Sequence, residues 1–546
     1  MDRSKAFGVD ALLVAVVLAM AALALALSWR HWPDPIIDAG RDLYISEHLA
    51  HGGELYRDFV YYFPPLAPYL LAAVVRGTGA SLIAFTWIGF AIALLTMAAM
   101  YVTSCVTSGR WAGATATALF AACSLVHPHP LNQNYLFPYS HSATLGMLFF
   151  IGVVAFFAVH LFHRRHPLFV AVALLCTLAA IWTKLEFAAF SLAIVAFVFI
   201  VHRIDWRWLI GFVLAFAASA AVVSWFFRDA PPDRFWMRGG HLSPPQIFAS
   251  PAFKVFYGSI SGLDQWPLRL LQSVFAAAVL VVVVLLFKNG QRIAAVAIAS
   301  LLAMTIFFFA AWSVLQLALI PLAIRRLREP LALLLLASLC ASSRIPLSLA
   351  PVWYGFVLLV PVYLLVAHVV FVALPRERVY STQTARLWLI PFAVVVVHAF
   401  VLEAEFYSRP AAAIVTSRGI LYTDRDRAAV MNRLGAALVR NHVTSLAVLP
   451  EGMTINYLFR IDTPLTIYSF NPLETSDPRV ESGIIDEFEH MRPPWIVITN
   501  RDYREMGSRG FGIDHNRRLF AYINAKYRVA DGFREPSCAM VLLARR

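Results

Sequence analysis

Charge is scarce in this sequence. Only 14% of its 546 residues are Asp, Glu, Lys or Arg, against about 25% in soluble domains, which excludes a chain folded mainly in water. Cysteine is scarcer still, at five. Cys105, Cys123, Cys176 and Cys340 fall inside apolar stretches and Cys538 stands alone in the polar tail, which excludes a disulfide framework and a CxxC metal site. Acidic residues number 32 against 45 basic ones. Yet the basic residues never gather in one patch; they recur in short groups between apolar runs, so no nucleic acid is expected as a partner.

What the chain has is hydrophobic length, with 60% of its residues apolar. Runs long enough to cross about 30 Å of hydrocarbon need about 20 residues each. They lie near 10–29, 80–107, 111–127, 141–162, 167–183, 186–202, 206–227 and 267–287. The stretch 292–343, divided at Arg325 to Arg328, supplies three short crossings, and 352–373 and 386–402 complete a set of about thirteen. The first run, Ala11 to Leu27, follows Arg3 and Lys5 with no small-residue cleavage site before Trp29-Arg30-His31-Trp32, so it is expected to be retained as a helix. Arg110, His163 to Arg165, Arg203, Lys288, Arg292, Arg325 to Arg328 and Arg376 all fall on the side of the N-terminus, which makes that side cytoplasmic. The opposite side receives the loops 30–79, 127–140 and 228–266 and the tail after Glu403.

The expected fold is therefore mainly α. Residues 1–402 form a polytopic transmembrane bundle carrying the external loops 30–79 and 228–266, and residues 403–546 form a small soluble α/β domain on the periplasmic or extracellular side. In the tail, apolar runs of strand type lie at 445–449, 465–468, 495–499 and 539–543. A helix over Asp424 to Arg440 places Met431, Leu434 and Leu438 on one face. No catalytic motif is visible there.

The first external loop is the most informative stretch. It crowds carboxylates, arginines and aromatics: Asp38-Ala39-Gly40-Arg41-Asp42-Leu43-Tyr44, then Gly52-Gly53-Glu54-Leu55-Tyr56-Arg57-Asp58, then Tyr61-Tyr62-Phe63-Pro64-Pro65-Leu66. Between Arg41 and Ala50 the pattern is a short amphipathic helix, with Leu43, Ser46, Leu49 and Ala50 on one face and Gly52-Gly53 as its stop. Such a helix is expected to lie flat in the membrane interface. Asp38, just before it, is a candidate general base for an incoming hydroxyl or amine. The bland reading is that Asp38 caps the helix N-terminus, and Asp42 is open to the same two readings.

Taken together, D-x-G-R-D-L-Y, G-x-L-Y-R-D-F and P-P-L-A-P-Y-L resemble the first loop of bacterial family-39-like membrane glycosyltransferases of the GT-C superfamily. The resemblance continues loosely through Asn134 to Ser140 and through Trp182-Thr183-Lys184-Leu185-Glu186 into the tail. It implies a GT-C-like bundle in which a first-loop aspartate acts as base, with Asp38 at the matching position, and a donor sugar carried on polyprenyl phosphate. Many relatives have Asp-Glu where this chain has Asp38-Ala39, and the next acid is Asp42.

Other charges fit that chemistry. Lys184 and Glu186 sit at the external end of an apolar helix, where charge is tolerated chiefly when it faces a cavity or a partner. Lys184 is placed to neutralise a leaving phosphate and Glu186 to position it or to meet a sugar hydroxyl; the plain alternative is an interfacial lysine paired locally. Arg344, ahead of Tyr354, is a second candidate for phosphate, with interfacial anchoring as its alternative. Arg41, Tyr44, Tyr61, Asn134, Tyr135, Tyr139 and Tyr354 complete the expected substrate-binding set. His127, His129 and His141 invite a metal reading, but Pro128 and Pro130 spoil the ligand geometry, so neither a metal nor a cofactor is expected. Arg234, Trp236, Arg238, His241, Lys254 and Tyr257 in the loop 228–266 suit lipid headgroups.

The function that the resemblance implies for these residues is an inverting transfer of a sugar, hexose or pentose, from a polyprenyl-phosphate donor to a lipid, polysaccharide or protein of the cell envelope, at the outer face of a bacterial inner membrane. A transporter or flippase would share the helices and the buried charges, but no internal repeat or paired broken helix is present. A sensor or scaffold working through its tail would leave the first loop without a purpose.

Overall fold

The protein was analysed as a computed structural model that describes residues 3–32, 34–127, 134–231 and 250–546. Each of the thirteen expected crossings coincides with a helix. Eight helical stretches among the described residues are long and apolar enough to cross a membrane, from Val9–Leu27 to Thr382–Tyr407. The chain is a multi-pass membrane protein. The stretch 292–343 divides as expected, into Arg292–Ala303, Phe307–Arg325 and Pro330–Ser342. One of the short crossings is wholly interior. Val360–His368 buries every one of its residues, and a helix apolar all round belongs inside a bundle. Arg207–Phe226 shows the converse: Phe212 is its one buried side chain, and Val213, Leu214 and Trp225 point outward to lipid.

The first loop departs from expectation. It contains a second helix, Leu66–Thr78, too short and too far from the main runs to register as a crossing. The amphipathic helix forms over Ala39–Ala50 with Leu43, Ser46 and Leu49 fully buried. It does not lie flat on lipid; it is sandwiched between Leu66–Thr78 and the C-terminal helix Met453–Phe459. Gly40 makes this possible, because a Cβ there would stand 2.0 Å from Thr454 Oγ1. Across the seam Arg418 reaches Glu47 at 2.5 Å, and the Val60 N–H donates to the Thr466 carbonyl at 2.9 Å.

The C-terminal α/β domain holds two sheets. β1 (Ala411–Thr416) and β2 (Gly419–Asp424) form an antiparallel hairpin. A four-stranded sheet has the order β3 (Ala447–Leu449), β4 (Trp495–Thr499), β6 (Ala539–Arg545), β5 (Tyr527–Arg534). Only the β3–β4 pair is parallel. The helix Arg425–Arg440 buries Met431, Leu434 and Leu438 as its pattern predicts, with Asp424 capping it through the Arg427 N–H. The run 465–468 is not a strand. Its backbone serves the first loop instead, through Thr466, and Phe470 just beyond it bonds to the Pro450 carbonyl. β5 went unread because Asp531-Gly532 interrupts its apolar alternation.

Candidate active site

Asp38 begins the Ala39–Ala50 helix but does not cap it, since its side chain accepts no hydrogen bond from the first turn. Its backbone sits at φ 57°, ψ −61°, close to the γ-turn of positive φ that a residue with a Cβ adopts only at a cost of roughly 1–3 kcal/mol. A contact from far along the chain holds it there: the Asp38 N–H donates to Glu451 Oε1 at 3.2 Å. The carboxylate stays 36% exposed, with the Arg41 guanidinium 3.8 Å away. Enclosure by protein raises its proton affinity, helped by the charges of Glu474 and Asp42 and opposed by Arg41 and Arg501.

Asp42, one turn further on, is spent. Its Oδ1 accepts from Arg41 Nε at 3.1 Å, and its Oδ2 accepts from the His141 N–H at 2.6 Å and faces His141 Nδ1 at 3.3 Å. It is buried, but Arg41 and these hydrogen bonds outweigh desolvation and hold its pKa at about 2. Asp42 thus anchors the start of the helix His141–Phe162 and orients Arg41. Of the two candidate acids, Asp38 has the open carboxylate.

From Arg41 a continuous polar row leads across the bundle end. Arg41 Nη1 donates to the Tyr62 hydroxyl and Nη2 to the Tyr139 carbonyl, both at 3.1 Å. The Tyr139 hydroxyl accepts from Lys184 Nζ at 2.7 Å, and Nζ lies 3.0 Å from Glu186 Oε1. Glu186 Oε2 pairs with Arg344, whose guanidinium lies 4.0 Å over the Tyr354 ring. Lys184 is itself the extended residue that opens the helix Leu185–His202. With Arg41 set against Asp42, the row has two further cations, Lys184 and Arg344, on one anion, Glu186. Its net charge of one, with aromatic faces around it, matches a phosphodiester monoanion.

The C-terminal domain completes the site, which local sequence did not reveal. Glu451 follows β3 and faces Arg501 Nε at 3.5 Å and the Tyr503 hydroxyl at 3.3 Å. Glu474 accepts from Asn471 Nδ2 at 2.9 Å and from the Tyr62 hydroxyl. Burial pushes both glutamates up to about 7, and the charge of Asp38 adds to the effect on Glu451. The tail read as featureless thus contributes two acids and an arginine.

The remaining expected site residues make contacts within the protein. Tyr61 is buried with its hydroxyl 3.5 Å from Ser142, while Tyr62 faces the site in its stead. Tyr44 accepts the Thr463 N–H at 3.0 Å and so ties the first-loop helix to the C-terminal domain. Asn134 closes a turn by accepting the Leu136 and Phe137 N–H groups, and Tyr135 packs between Phe120 and Phe356. His127 is buried, His141 serves Asp42, and His129 with its flanking prolines lies outside the described residues. Arg234, Trp236, Arg238 and His241 also lie outside them. Lys254 and Tyr257 line an open groove with Arg504 and Glu505.

This arrangement can be set beside known proteins. No family model and no curated protein matches the chain. Solved structures do. A crystal structure of the oligosaccharyltransferase of Archaeoglobus fulgidus, complexed with zinc and sulfate, matches with a TM-score of 0.53 at 12% identity, over 96% of this chain and 72% of that one. A crystal structure of ArnT from Cupriavidus metallidurans bound to undecaprenyl phosphate matches with a TM-score of 0.51 at 14% identity, over 98% of both chains. The chain has the GT-C fold. The archaeal enzyme AglB, in complex with an inhibitory peptide and a dolichol-phosphate, gives a TM-score of 0.52 at 12% identity, over 96% of this chain and 73% of that one. Within the GT-C fold, the polar row from Asp38 to Arg344 occupies the junction between bundle and C-terminal domain.

Proposed function

We propose that the protein is an inverting membrane glycosyltransferase that takes its sugar from a polyprenyl-phosphate donor. One observation carries the reading: an open carboxylate, Asp38, stands at the end of a buried, net-cationic row built from Arg41, Lys184, Glu186 and Arg344. Burying such a row is costly unless an anion joins it. A lipid-borne phosphodiester brings that anion while its tail remains in hydrocarbon.

In the reaction, Asp38 accepts the proton of an acceptor hydroxyl or amine as that atom bonds the anomeric carbon. The bond from the anomeric carbon to phosphate oxygen breaks, and its electron pair stays on the leaving lipid phosphate. Lys184 and Arg344 meet the charge that develops there; preorganised donors of this kind supply a large share of the rate. Asp42, being committed to Arg41 and His141, acts as a positioning residue. The site lies on the side opposite the arginine-rich loops, which supports an external location for the reaction and for the C-terminal domain. The acceptor is an envelope lipid, polysaccharide or protein, and no metal is required by the side chains named.

The test is reconstitution of the purified chain with a panel of undecaprenyl-phosphate hexoses and pentoses, following release of undecaprenyl phosphate. Release above the protein-free rate for at least one donor, abolished in Asp38→Asn with an unchanged melting temperature, is the expected result. No release from any donor, or release unaffected by Asp38→Asn, overturns the reading.

A further inference from the structure

The Asp38–Glu451 contact joins residues 413 positions apart, and nothing in the transfer step above uses it. Glu451 lies between β3 and the helix Met453–Phe459, where Gly452, at φ 145°, lets the chain turn tightly against Val448 and Ile36. Its carbonyl accepts from Thr499 Oγ1 at 3.2 Å, so backbone as well as side chain is fixed. One carboxylate oxygen receives the N–H of Asp38 and the other faces Tyr503 and Arg501, leaving 13% of the side chain exposed. The backbone of Asp38 is held in a conformation that is unfavourable by itself, and the group that holds it is another acid.

We propose that Glu451 is the positioning partner of Asp38: an acid of the C-terminal domain, seated on the backbone N–H of the base, that fixes where Asp38 points and titrates against its charge. The role in catalysis rests on the reading of Asp38 as the base; the coupling of the two acids does not.

The surroundings support this. The charged and titratable groups facing Glu451 are Asp38 from the first loop, Arg501 and Tyr503 beyond β4, and Glu474 from the short helix Pro472–Thr475. Arg41, which also faces Asp38, is engaged by Asp42. Arg501 is left to balance two acids and is itself shared with Glu505. Two carboxylates so placed titrate as a unit, and one of them retains a proton to higher pH than an isolated acid. Glu451 is the acid pushed up, by its burial and by the charge of Asp38 beside it.

The experiment uses the full chain in nanodiscs, treated with a water-soluble carbodiimide, which reacts with protonated carboxyls, across a pH series; mass spectrometry quantifies the adduct on Glu451. In Asp38→Asn the midpoint of Glu451 labelling should fall by about one pH unit, as expected for loss of a close like charge. Glu451→Gln keeps an oxygen for the Asp38 N–H, whereas Glu451→Ala frees it and should lower turnover at every pH several-fold below Glu451→Gln, with little change in donor KM. An unchanged Glu451 labelling midpoint in Asp38→Asn, or equal turnover in Glu451→Gln and Glu451→Ala, overturns the proposal. A shifted midpoint combined with full activity in Asp38→Asn leaves the coupling standing and removes Asp38 as base.

Discussion

The two ends of the helical bundle handle charge in opposite ways. At the end bearing the arginine-rich loops, Arg326 pairs with Glu377 at 2.5 Å and Arg376 with Glu329 at 2.6 Å, two cations to two anions, with side chains 29–54% exposed. At the other end Arg41, Lys184, Arg344 and Arg501 are 6%, 8%, 19% and 14% exposed. There Lys184 and Arg344 share one glutamate. Balanced, wetted pairs are inexpensive and mark topology. Two buried cations on a single anion have to be maintained by the fold against their own repulsion, and that cost is explained when a ligand supplies the missing anion.

The sharpest way to break this contrast is at the two acids one turn apart. Asp38→Asn should lower transfer by about 10²–10⁴-fold, the range for loss of a general base, without lowering the melting temperature. Asp42→Asn should instead lower the melting temperature, because the carboxylate that holds Arg41 and the start of the His141–Phe162 helix is lost. If Asp42→Asn melts normally and Asp38→Asn unfolds, the assignment is reversed.

Next in size is the middle of the cationic row. Glu186→Gln leaves Lys184 and Arg344 facing each other without their shared counter-charge, and breaking a buried pair costs about 3–5 kcal/mol. The signature is a depressed melting temperature that undecaprenyl phosphate partly restores, since the lipid phosphate replaces the anion. Restoration by a neutral polyprenol as well as by the phosphate would remove the phosphate argument.

A smaller effect distinguishes two neighbouring tyrosines. Tyr62 relays Arg41 to Glu474, whereas Tyr61 is buried beside Ser142. Losing a hydrogen bond between charged partners costs about 1.5–3 kcal/mol, so Tyr62→Phe should slow transfer by roughly ten- to a hundredfold and Tyr61→Phe should change it little. Equal loss in both variants would place the two hydroxyls in the same environment.

That pair also marks where sequence reading stopped. Apolar length and the spacing of Arg110, Arg203 and Arg376 carry the bundle, and the cluster from Asp38 to Asp58 carries the location of the site, because both signals are local. Whether Tyr61 or Tyr62 faces inward depends on a turn whose parity no periodicity records. Glu451, Glu474 and Arg501 escaped because each is an ordinary polar residue next to a strand or short helix, and acquires meaning only when the C-terminal domain brings it to Asp38. The segment 465–468 had the right composition for a strand, but the first loop competed for its backbone through Val60 and Thr466.

The smallest effect belongs to the opposite end. Arg326→Gln removes the Glu377 pair, yet Glu329 keeps Arg376 at 2.6 Å and Glu377 stays 35% exposed to solvent. Exposed pairs are worth about 0.2–1 kcal/mol, so the melting temperature should fall by no more than a few degrees and vanish as a difference in high salt, where screening removes what little attraction remains. Transfer activity should be unchanged, because this pair lies at the far end of the bundle from Asp38. A large loss of activity in Arg326→Gln would mean that charge at the two ends is coupled through the helices, and the distinction between marker and site would have to be abandoned.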